Sequence, residues 1–437
     1  MISRKYIPKN KSMCLDPFTS LFMGAMGENR LCCVSLNPIT GDEKGQHPQK
    51  IYPKDIHNDI WTSDYFKDIR QKMINGEKIE ECQRCYDIEE AGGSSKRMFS
   101  NESICTLDKD FSINVDTGNN KHTPVFLDIR PSNLCNLKCR MCYSDSSSLI
   151  GKEISNNEEL TDIMPYLQDF GTSNWFDSDI MQEQLRQIMP NIRRINLLGG
   201  ETSIIKNVHK LLKWCIDEGY NDQLIIDIAT NMTNTNDDFF NLLKQFKCVN
   251  LYISIDGVDV VTEYIRFPSK WSIIERNINR CLTMDIPDGN ILNIHTLCTA
   301  NIYNILYLHD VISWIYTVPD PLDRFCGLDH NARIFFNIVY HPEHQCINLL
   351  PIERRQEVIQ KLLEIAEGVG FDEHLIKRSS LSVVINELND QNVATDENHD
   401  LFIKSTKVYD RIRKQSIETT LPELYDIFKE DFEKSEK

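Results

Sequence analysis

The sequence lacks long apolar runs, and no segment reaches the roughly eighteen consecutive apolar residues that a membrane-spanning helix requires. It also lacks a basic excess, because 48 Lys and Arg stand against 65 Asp and Glu and give a formal net charge of −17. General binding to nucleic acid is therefore not expected, since phosphate contact needs clustered Lys and Arg. The first ten residues hold no apolar stretch of signal-peptide length, so we expect no secretion signal, no membrane partner and a cytoplasmic protein.

Cysteine, by contrast, is abundant, with 15 residues among 437. Cytosolic thiols stay reduced, and an odd number fits a disulfide framework poorly, so grouped cysteines favour a metal or cluster site. Five cysteines precede residue 90 and three more lie close together near residue 140, namely Cys14, Cys32, Cys33, Cys82, Cys85 and Cys135, Cys139, Cys142. The other seven are scattered singly, which is typical of packed core residues.

The chain divides by composition into three predicted domains. A polar stretch at 108–123 places a boundary near residue 120, and the chain from 351 onward has mostly helical patterns. Between them, strand patterns alternate with helical ones, which favours a parallel sheet built from βαβ units. The predicted strands are 125–131, 194–199, 224–230, 249–256, 291–298 and 333–340. The predicted domains are 1–120, 121–350 and 351–437.

Polar residues at alternate positions on these strands indicate which α/β architecture to expect. Strands buried on both faces usually read as continuous apolar runs. Here Asp128 and Arg130 share a face of the first strand, and Asn293 and His295 share a face of the fifth. One face of the sheet is therefore polar, which favours a wide, open partial barrel with a polar lumen over a doubly wound sheet.

The strongest motif follows the first predicted strand, where Cys135, Cys139 and Cys142 have the spacing C-x3-C-x2-C. Three thiolates within eight residues can converge on one soft metal centre. A structural zinc site has four protein ligands. A four-iron cluster held by only three cysteines leaves one iron free to bind a ligand that is not part of the protein. An open iron at the mouth of a barrel predicts a reaction site.

This motif, together with Gly199-Gly200-Glu201 after the next predicted strand, resembles the radical S-adenosylmethionine (SAM) superfamily from residue 125 to about 344. The resemblance implies a partial (β/α)6 TIM-like barrel and a 4Fe-4S cluster on Cys135, Cys139 and Cys142. It also implies that the open iron binds SAM, and that reductive cleavage gives a 5′-deoxyadenosyl radical that abstracts hydrogen from a substrate. An electron donor of the flavodoxin or ferredoxin type is expected as a partner.

The same resemblance supplies candidate SAM-binding residues. The positions that match the family segments are Gly199, Gly200, Glu201, Asn231, Ser254, Asp256 and Arg266. Arg266 could instead be a surface helix residue. Residues of the polar lumen could contact the substrate, and the candidates are Asp128, Arg130, His295 and Cys298.

The N-terminal cysteines suggest a second centre. Cys14 and Cys32 enclose Gly27 in the pattern C-x12-G-x4-C, and the pair Cys82-x2-Cys85 follows. Spacing alone leaves open a zinc ribbon, in which these four cysteines would bind one zinc ion. The pattern is also similar to the SPASM/twitch extensions of radical SAM enzymes, which implies an auxiliary 4Fe-4S cluster in a small N-terminal Fe-S domain. Cys33 or Cys105 could replace an assigned ligand.

Three functions remain open at this stage. SPASM/twitch enzymes often modify peptide or protein side chains, so a peptide substrate is the first expectation. A sugar or nucleoside-type small molecule is the second. The third is a non-catalytic thiolate scaffold that holds zinc or an Fe-S cluster, which iron, sulfide and zinc content would distinguish from the enzyme.

Overall fold

The computed structural model describes residues 10–35, 56–90, 95–107, 123–234, 236–325 and 332–434. The α-helices are α1 Asp16–Thr19, α2 Asp64–Asn75, α3 Gln83–Glu90, α4 Lys96–Leu107, α5 Ser148–Ser155, α6 Glu158–Ile163, α7 Asp179–Ile188, α8 Lys206–Asp217, α9 Asp237–Leu243, α10 Asp259–Ile265, α11 Trp271–Thr283, α12 Leu308–Thr317, α13 Ile352–Gly368, α14 Glu373–Arg378, α15 Leu381–Asn389, α16 Asp396–Arg413, α17 Ile417–Thr420 and α18 Pro422–Lys434. The strands are β1 Ser20–Met23, β2 Asn29–Arg30, β3 Phe126–Ile129, β4 Lys138–Cys139, β5 Arg194–Leu197, β6 Ile225–Thr230, β7 Cys248–Ser254, β8 Arg266–Phe267, β9 Ile291–Ala300 and β10 Ile334–Ile338.

All six predicted strands are present, as β3, β5, β6, β7, β9 and β10, and helices separate them along the chain. Local sequence explains these elements. In β5, Ile195 and Leu197 are buried while Arg194 and Asn196 are half-buried, which is the alternation that places one face toward the core. The helix-rich region after residue 351 is also present, as α13 to α18.

The chain divides into two compact units, which are residues 1–133, 172–228 and 241–249, and residues 134–171, 229–240 and 250–437. In the first unit, the strands follow the order β6-β5-β3-β1-β2. The pairs β6–β5, β5–β3 and β3–β1 are parallel, and β1–β2 is antiparallel. The register places Phe22, Asp128, Asn196 and Asp227 in one row across four strands.

In the second unit, strands β10, β9 and β7 follow one another, with β9 and β10 parallel. The two-residue strands β4 and β8 pair antiparallel in a separate small sheet. Helices α5 and α6 pack against α16 in an apolar cluster that includes Ile150, Ile154, Leu160, Val408 and Tyr409. This packing ties the C-terminal helices to the segment that follows the three-cysteine motif.

Strand β1 was not predicted, and it joins the N-terminal cysteine segment to the sheet through β3. Residues 108–122, where we placed the first domain boundary, lie outside the described residues, so the division at residue 120 stays a prediction. Within the part of the chain that the structure describes, no helix has the length and apolarity needed to cross a membrane.

Candidate functional site

The three cysteines of the predicted catalytic cluster lie on one short loop of the second unit. Cys135 is buried, and Cys139 and Cys142 are half-buried. The loop is folded by its own hydrogen bonds, because Leu137 N–H donates to Cys135 Sγ at 3.4 Å and Cys142 N–H donates to the Cys139 carbonyl at 3.1 Å. Burial raises the pKa of Cys142, and negative charge on Cys139 and Cys135 raises it further. The three sulfurs therefore share one small region.

Arg266 lies directly opposite Cys139 in the β4–β8 pair. Its Nη1 is 3.9 Å from Cys139 Sγ, and its Nη2 is 2.7 Å from Asp256 Oδ2. Asp256 is fully buried and also accepts a 2.8 Å hydrogen bond from Thr299 N–H. Burial raises the pKa of Asp256, and the positive charge of Arg266 opposes that shift. Arg266 is thus a largely buried cation fixed beside a predicted cluster ligand, and not a surface helix residue.

Asn231 braces the cysteine loop. Its Nδ2 donates to Asn136 Oδ1 at 3.0 Å, and its Oδ1 accepts from Thr233 Oγ1 at 2.6 Å. Asn136 Nδ2 donates in turn to Thr233 Oγ1 at 2.8 Å, which closes a three-residue ring. Asn136 directly follows Cys135, so the ring fixes the first part of the motif to the loop after β6.

Arg140, between the second and third cysteines, is anchored by the C-terminal helices. Its side chain is fully buried, and its Nη2 donates to Asp410 Oδ1 at 2.6 Å. The guanidinium carbon lies 3.7 Å from the ring centre of Tyr264, whose hydroxyl donates to the same carboxylate oxygen at 2.7 Å. Asp410 Oδ2 accepts from Ile417 N–H at 2.7 Å. One partly buried carboxylate of α16 therefore orders the cysteine loop.

The predicted Gly-Gly-Glu segment lies in the first unit. Gly199 has φ +84°, and a Cβ there would come within 2.9 Å of Arg130 Cβ and 3.0 Å of the Ser132 carbonyl. Only glycine fits this conformation and this close approach without strain. Glu201 is buried and accepts a 3.1 Å hydrogen bond from Ser203 N–H.

Asp128 of β3 and Arg130, which directly follows that strand, form an ion pair at 3.2 Å, also in the first unit. Asp128 accepts a 3.1 Å hydrogen bond from Asn196 Nδ2, and Arg130 lies 5.0 Å from the ring centre of Phe22. Burial raises the pKa of Asp128, and Arg130 opposes that shift. These contacts make a polar, charged row on one face of the sheet.

The remaining candidates lie in the second unit. His295 is buried and stacks on Tyr252 with ring centres 4.9 Å apart, which is the environment of a packed residue. Cys298 is buried, and burial followed by the charge of Asp256 raises the pKa of its thiol. Ser254 is half-buried at the end of β7.

The structure brings the four predicted N-terminal ligands to one cavity. Cys14, Cys32, Cys82 and Cys85 line it together, although 71 positions separate the first from the last. Cys82 and Cys85 reach it from the 3-10 turn before α3 and from α3 itself. Burial raises the pKa of Cys82 to about 12, and the charge of Cys85 adds to that shift.

Basic side chains of α3 and α4 complete this cavity. Arg84, Lys96 and Arg97 line it beside the cysteines and outnumber the two lining carboxylates, Asp16 and Glu81. Lys96 Nζ lies 3.3 Å from Asp16 Oδ2, and Arg97 Nη1 donates to the Met13 carbonyl at 2.8 Å. A 4Fe-4S cluster with four thiolates carries net negative charge, which such cations would offset. The donor set therefore fits an auxiliary cluster.

Cys33 is not among the residues that line this cavity. Its pKa is raised to about 11 by burial and next by the charge of Asp128, and Lys96 and Arg130 lower it. Its thiol thus lies near the charged row of the sheet. Cys105 lies in α4, but its side chain is outside the described residues.

Among the described residues, no group of three or more His, Cys, Asp or Glu side chains is placed to hold a single metal ion. Each cysteine of a four-iron cluster binds a different iron, so its sulfurs surround a volume and do not meet at a point.

Several charged residues of these sites were not predicted from the sequence, namely Arg84, Lys96, Arg97, Arg140 and Asp410. Arg140 could have been noticed as a cation between two cluster cysteines. Asp410 carries no local signal, because it lies 270 positions from its partner.

The central segment of the chain matches a known protein family. Residues 129–306, less than half of the chain, match the model of the radical SAM superfamily. This match confirms the predicted fold class for these residues, an α/β partial barrel of radical SAM type.

Two curated proteins share limited identity with the chain. The 7,8-dihydro-6-hydroxymethylpterin dimethyltransferase of Methanocaldococcus jannaschii is 26% identical over 141 residues, 32% of this chain and 24% of that protein. The sporulation killing factor maturation protein SkfB of Bacillus subtilis is 26% identical over 190 residues, 41% of this chain and 40% of that protein. The chain thus spans a quarter to two fifths of the length of these relatives.

Among solved structures, SuiB of Streptococcus suis bound to S-adenosylmethionine aligns with a TM-score of 0.38 and 14% identity. The alignment covers 71% of this chain and 67% of SuiB.

Proposed function

We propose that this chain, whose residues 129–306 form a radical SAM domain, is an enzyme that abstracts hydrogen from a peptide or protein side chain. Cys135, Cys139 and Cys142 hold the catalytic 4Fe-4S cluster. When bound, the cluster supplies the electron that cleaves SAM to methionine and a 5′-deoxyadenosyl radical. The observation that carries the proposal is the three-cysteine motif, which lies within the segment that matches the radical SAM model. Its loop is held by the contacts of Asn231 with Asn136 and of Asp410 with Arg140.

The chain's own residues orient this centre. Arg266 donates toward Cys139 Sγ, and Asp256 holds Arg266 in place. Hydrogen bonds and positive charge at a cluster sulfur stabilise the reduced state. Asp256 is therefore a positioning residue. Gly199, Gly200, Glu201 and Ser254 would hold SAM, and Asn231 steadies the cysteine loop.

Cys14, Cys32, Cys82 and Cys85 would hold a second 4Fe-4S cluster in the cavity that they line. Its support is the convergence of four distant cysteines with Arg84, Lys96 and Arg97 around them. When bound there, such a cluster would supply an acceptor for an electron from the substrate radical or a binding position for the substrate. A cytoplasmic location would keep these thiols available for iron.

The peptide substrate is supported by the similarity to a maturation protein, SkfB, over 190 residues. The similarity to a pterin dimethyltransferase over 141 residues favours a small-molecule substrate as the alternative. A peptide substrate requires transfer of a hydrogen atom from the peptide to the 5′-deoxyadenosyl radical, which deuterium transfer from a deuterated peptide into 5′-deoxyadenosine would report.

The first experiment measures 5′-deoxyadenosine formed from SAM by the anaerobically reconstituted, reduced protein. We expect formation in the native protein, none in Cys139→Ala, and unchanged formation in Cys248→Ala, which removes a half-buried cysteine outside both groups. A protein with its full iron content that forms none would favour a non-catalytic scaffold.

Metal content tests the second centre separately. Two clusters predict about eight iron and eight sulfide per chain. About four iron together with one zinc would show that the N-terminal site is a zinc site.

A further inference from the structure

A cavity of about 280 Å³ opens at the C-terminal end of β10, within the second unit. Its walls come from the segment after β10, from α15 and from the segment that leads into α16. We call it the α15 cavity. The lining residues that matter below are Tyr340, Glu343, Cys346, Asn348, Glu387 and Val393. None of the described residues that line it is Lys, Arg or His.

The α15 cavity holds hydrogen-bond acceptors that lack donors. Glu387 is half-buried, and its carboxylate makes no hydrogen bond or ion pair with any described residue. Asn348 Oδ1 is buried, and no described group donates to it. Burying an acceptor without a partner costs free energy that a donor in the cavity would offset. These two acceptors therefore indicate a ligand rich in donors.

The charged side chains that line the α15 cavity are both carboxylates, and Arg355, outside its lining, partly offsets the charge at Glu387. The carboxylates of Glu387 and Glu343 both lie close enough to Cys346 to raise the pKa of its thiol, after burial itself. Asn398 Nδ2 donates to Glu343 Oε2 at 2.9 Å, which holds that carboxylate at the cavity wall. A cation with several donors thus complements the cavity better than a neutral group.

The entrance has an apolar rim. Tyr340 is 54% exposed and Val393 is 62% exposed, and both line the cavity. An aliphatic stem that leads to a charged head could cover these side chains while the head reaches the carboxylates. This combination is typical of a long basic side chain and not of a bare metal ion.

The α15 cavity lies next to the segment that contacts the cysteine loop. Tyr143, which follows Cys142, donates its hydroxyl hydrogen bond to the His341 carbonyl. The rings of Tyr143 and His341 stack with centres 6.2 Å apart. His341 directly follows Tyr340, so the residue that contacts the loop is the chain neighbour of a residue of the cavity wall.

We propose that the α15 cavity binds an arginine side chain of the peptide substrate and anchors the peptide beside the radical centre. This inference rests on the proposed function and names a feature of its substrate. Guanidinium offers five donors in a planar fork, which can serve Glu387, Glu343 and Asn348 together.

The test uses anaerobically reconstituted protein and the fluorescein-labelled peptide Gly-Ser-Arg-Phe-Gly-Ser. Its control replaces Arg by citrulline, which keeps the shape and removes the charge. We expect the arginine peptide to bind at least about fivefold more tightly by fluorescence anisotropy. Glu387→Gln and Glu343→Gln should each reduce this preference. Glu367→Gln, an exposed carboxylate of α13 outside the cavity, should keep it.

Equal affinity for the two peptides, or a preference that survives Glu387→Gln, would overturn the proposal. Displacement of the peptide by CaCl2 far beyond NaCl of the same ionic strength would overturn it in favour of a divalent-cation site. Binding requires no SAM cleavage, so the two proposals fail separately. Loss of 5′-deoxyadenosine formation with retained arginine preference would refute only the proposed function.

Discussion

At the scale of single residues, Arg266 joins two parts of the candidate centre. It contacts Cys139 on one side and a fully buried carboxylate, Asp256, on the other. Burial opposes the charged form of Arg266, but Asp256 and then Cys139 outweigh it and raise its pKa. The guanidinium therefore stays charged beside the predicted cluster at any working pH.

Removing that charge should lower the reduction potential of the catalytic cluster. The reduced cluster carries more negative charge, which Arg266 stabilises, so we expect Arg266→Gln to shift the potential down by on the order of 50 mV. Arg266→Lys, which keeps the charge, should shift it less. Redox titration followed by electron paramagnetic resonance measures both. Equal potentials in all three proteins would contradict a role for this residue at the cluster.

The doublet at residues 32 and 33 allows a matched comparison of neighbours. Cys32 lines the N-terminal cavity, whereas Cys33 is not among its lining residues. We expect Cys32→Ala to lose up to about four iron atoms per chain and Cys33→Ala to keep them. Iron and sulfide analysis after reconstitution provides the measurement. The opposite result would make Cys33 the ligand.

At the scale of elements, helix α16 contributes to the candidate centre through one carboxylate. Asp410 accepts from Arg140 and Tyr264, and Arg140 lies between two predicted cluster ligands. The same helix carries Arg413, which forms an ion pair with Glu153 of α5. The C-terminal helices therefore order the cysteine loop in addition to covering apolar surface.

Asp410→Asn should destabilise the protein strongly. The change leaves the fully buried charge of Arg140 without its carboxylate, and breaking such a pair typically costs about 3 kcal/mol or more. The exposed Asp400 of the same helix supplies the control, because Asp400→Asn should change the free energy of unfolding by less than about 0.5 kcal/mol. Urea denaturation measures both. Similar stability for the two variants would refute this account.

At the scale of the whole molecule, the features that depend on local sequence patterns could be predicted from the sequence. The six strands, the helical C-terminal region and the cysteine spacings all carry local signals. Strand β1 did not, because Ser20–Met23 is a short run buried at every position, which periodicity cannot distinguish from helix. The contacts of Arg266 and Asp410 depend on pairings between distant segments, which no local pattern reports.

Acid should weaken the fold partly through His344. Burial, and next the charge of His341, lowers its pKa to about 4. In the unfolded chain the His344 imidazole is protonated near pH 6.5. Between about pH 4 and pH 6.5 the unfolded chain therefore binds more protons than the folded chain. Stability is therefore full above pH 6.5 and falls as the pH drops toward 4. The loss from this residue between pH 7 and pH 5 is roughly 2 kcal/mol.

Urea unfolding at pH 7 and pH 5 tests this expectation. The difference between the two pH values should shrink in His344→Gln and remain in His374→Gln, whose side chain is exposed in the native protein. A difference that is unchanged in His344→Gln would assign the acid sensitivity to other groups.

The pairing of β1 with β3 makes the N-terminal cysteine segment a poor candidate for deletion. Ser20–Met23 covers one side of β3, and β2 covers β1 in turn. Truncation before β3 would leave the backbone N–H and C=O groups of that strand as a bare edge, which invites pairing with another chain. A shortened version should therefore aggregate before any loss of chemistry can be measured, so the segment cannot be studied by deletion and has to be studied by point substitution.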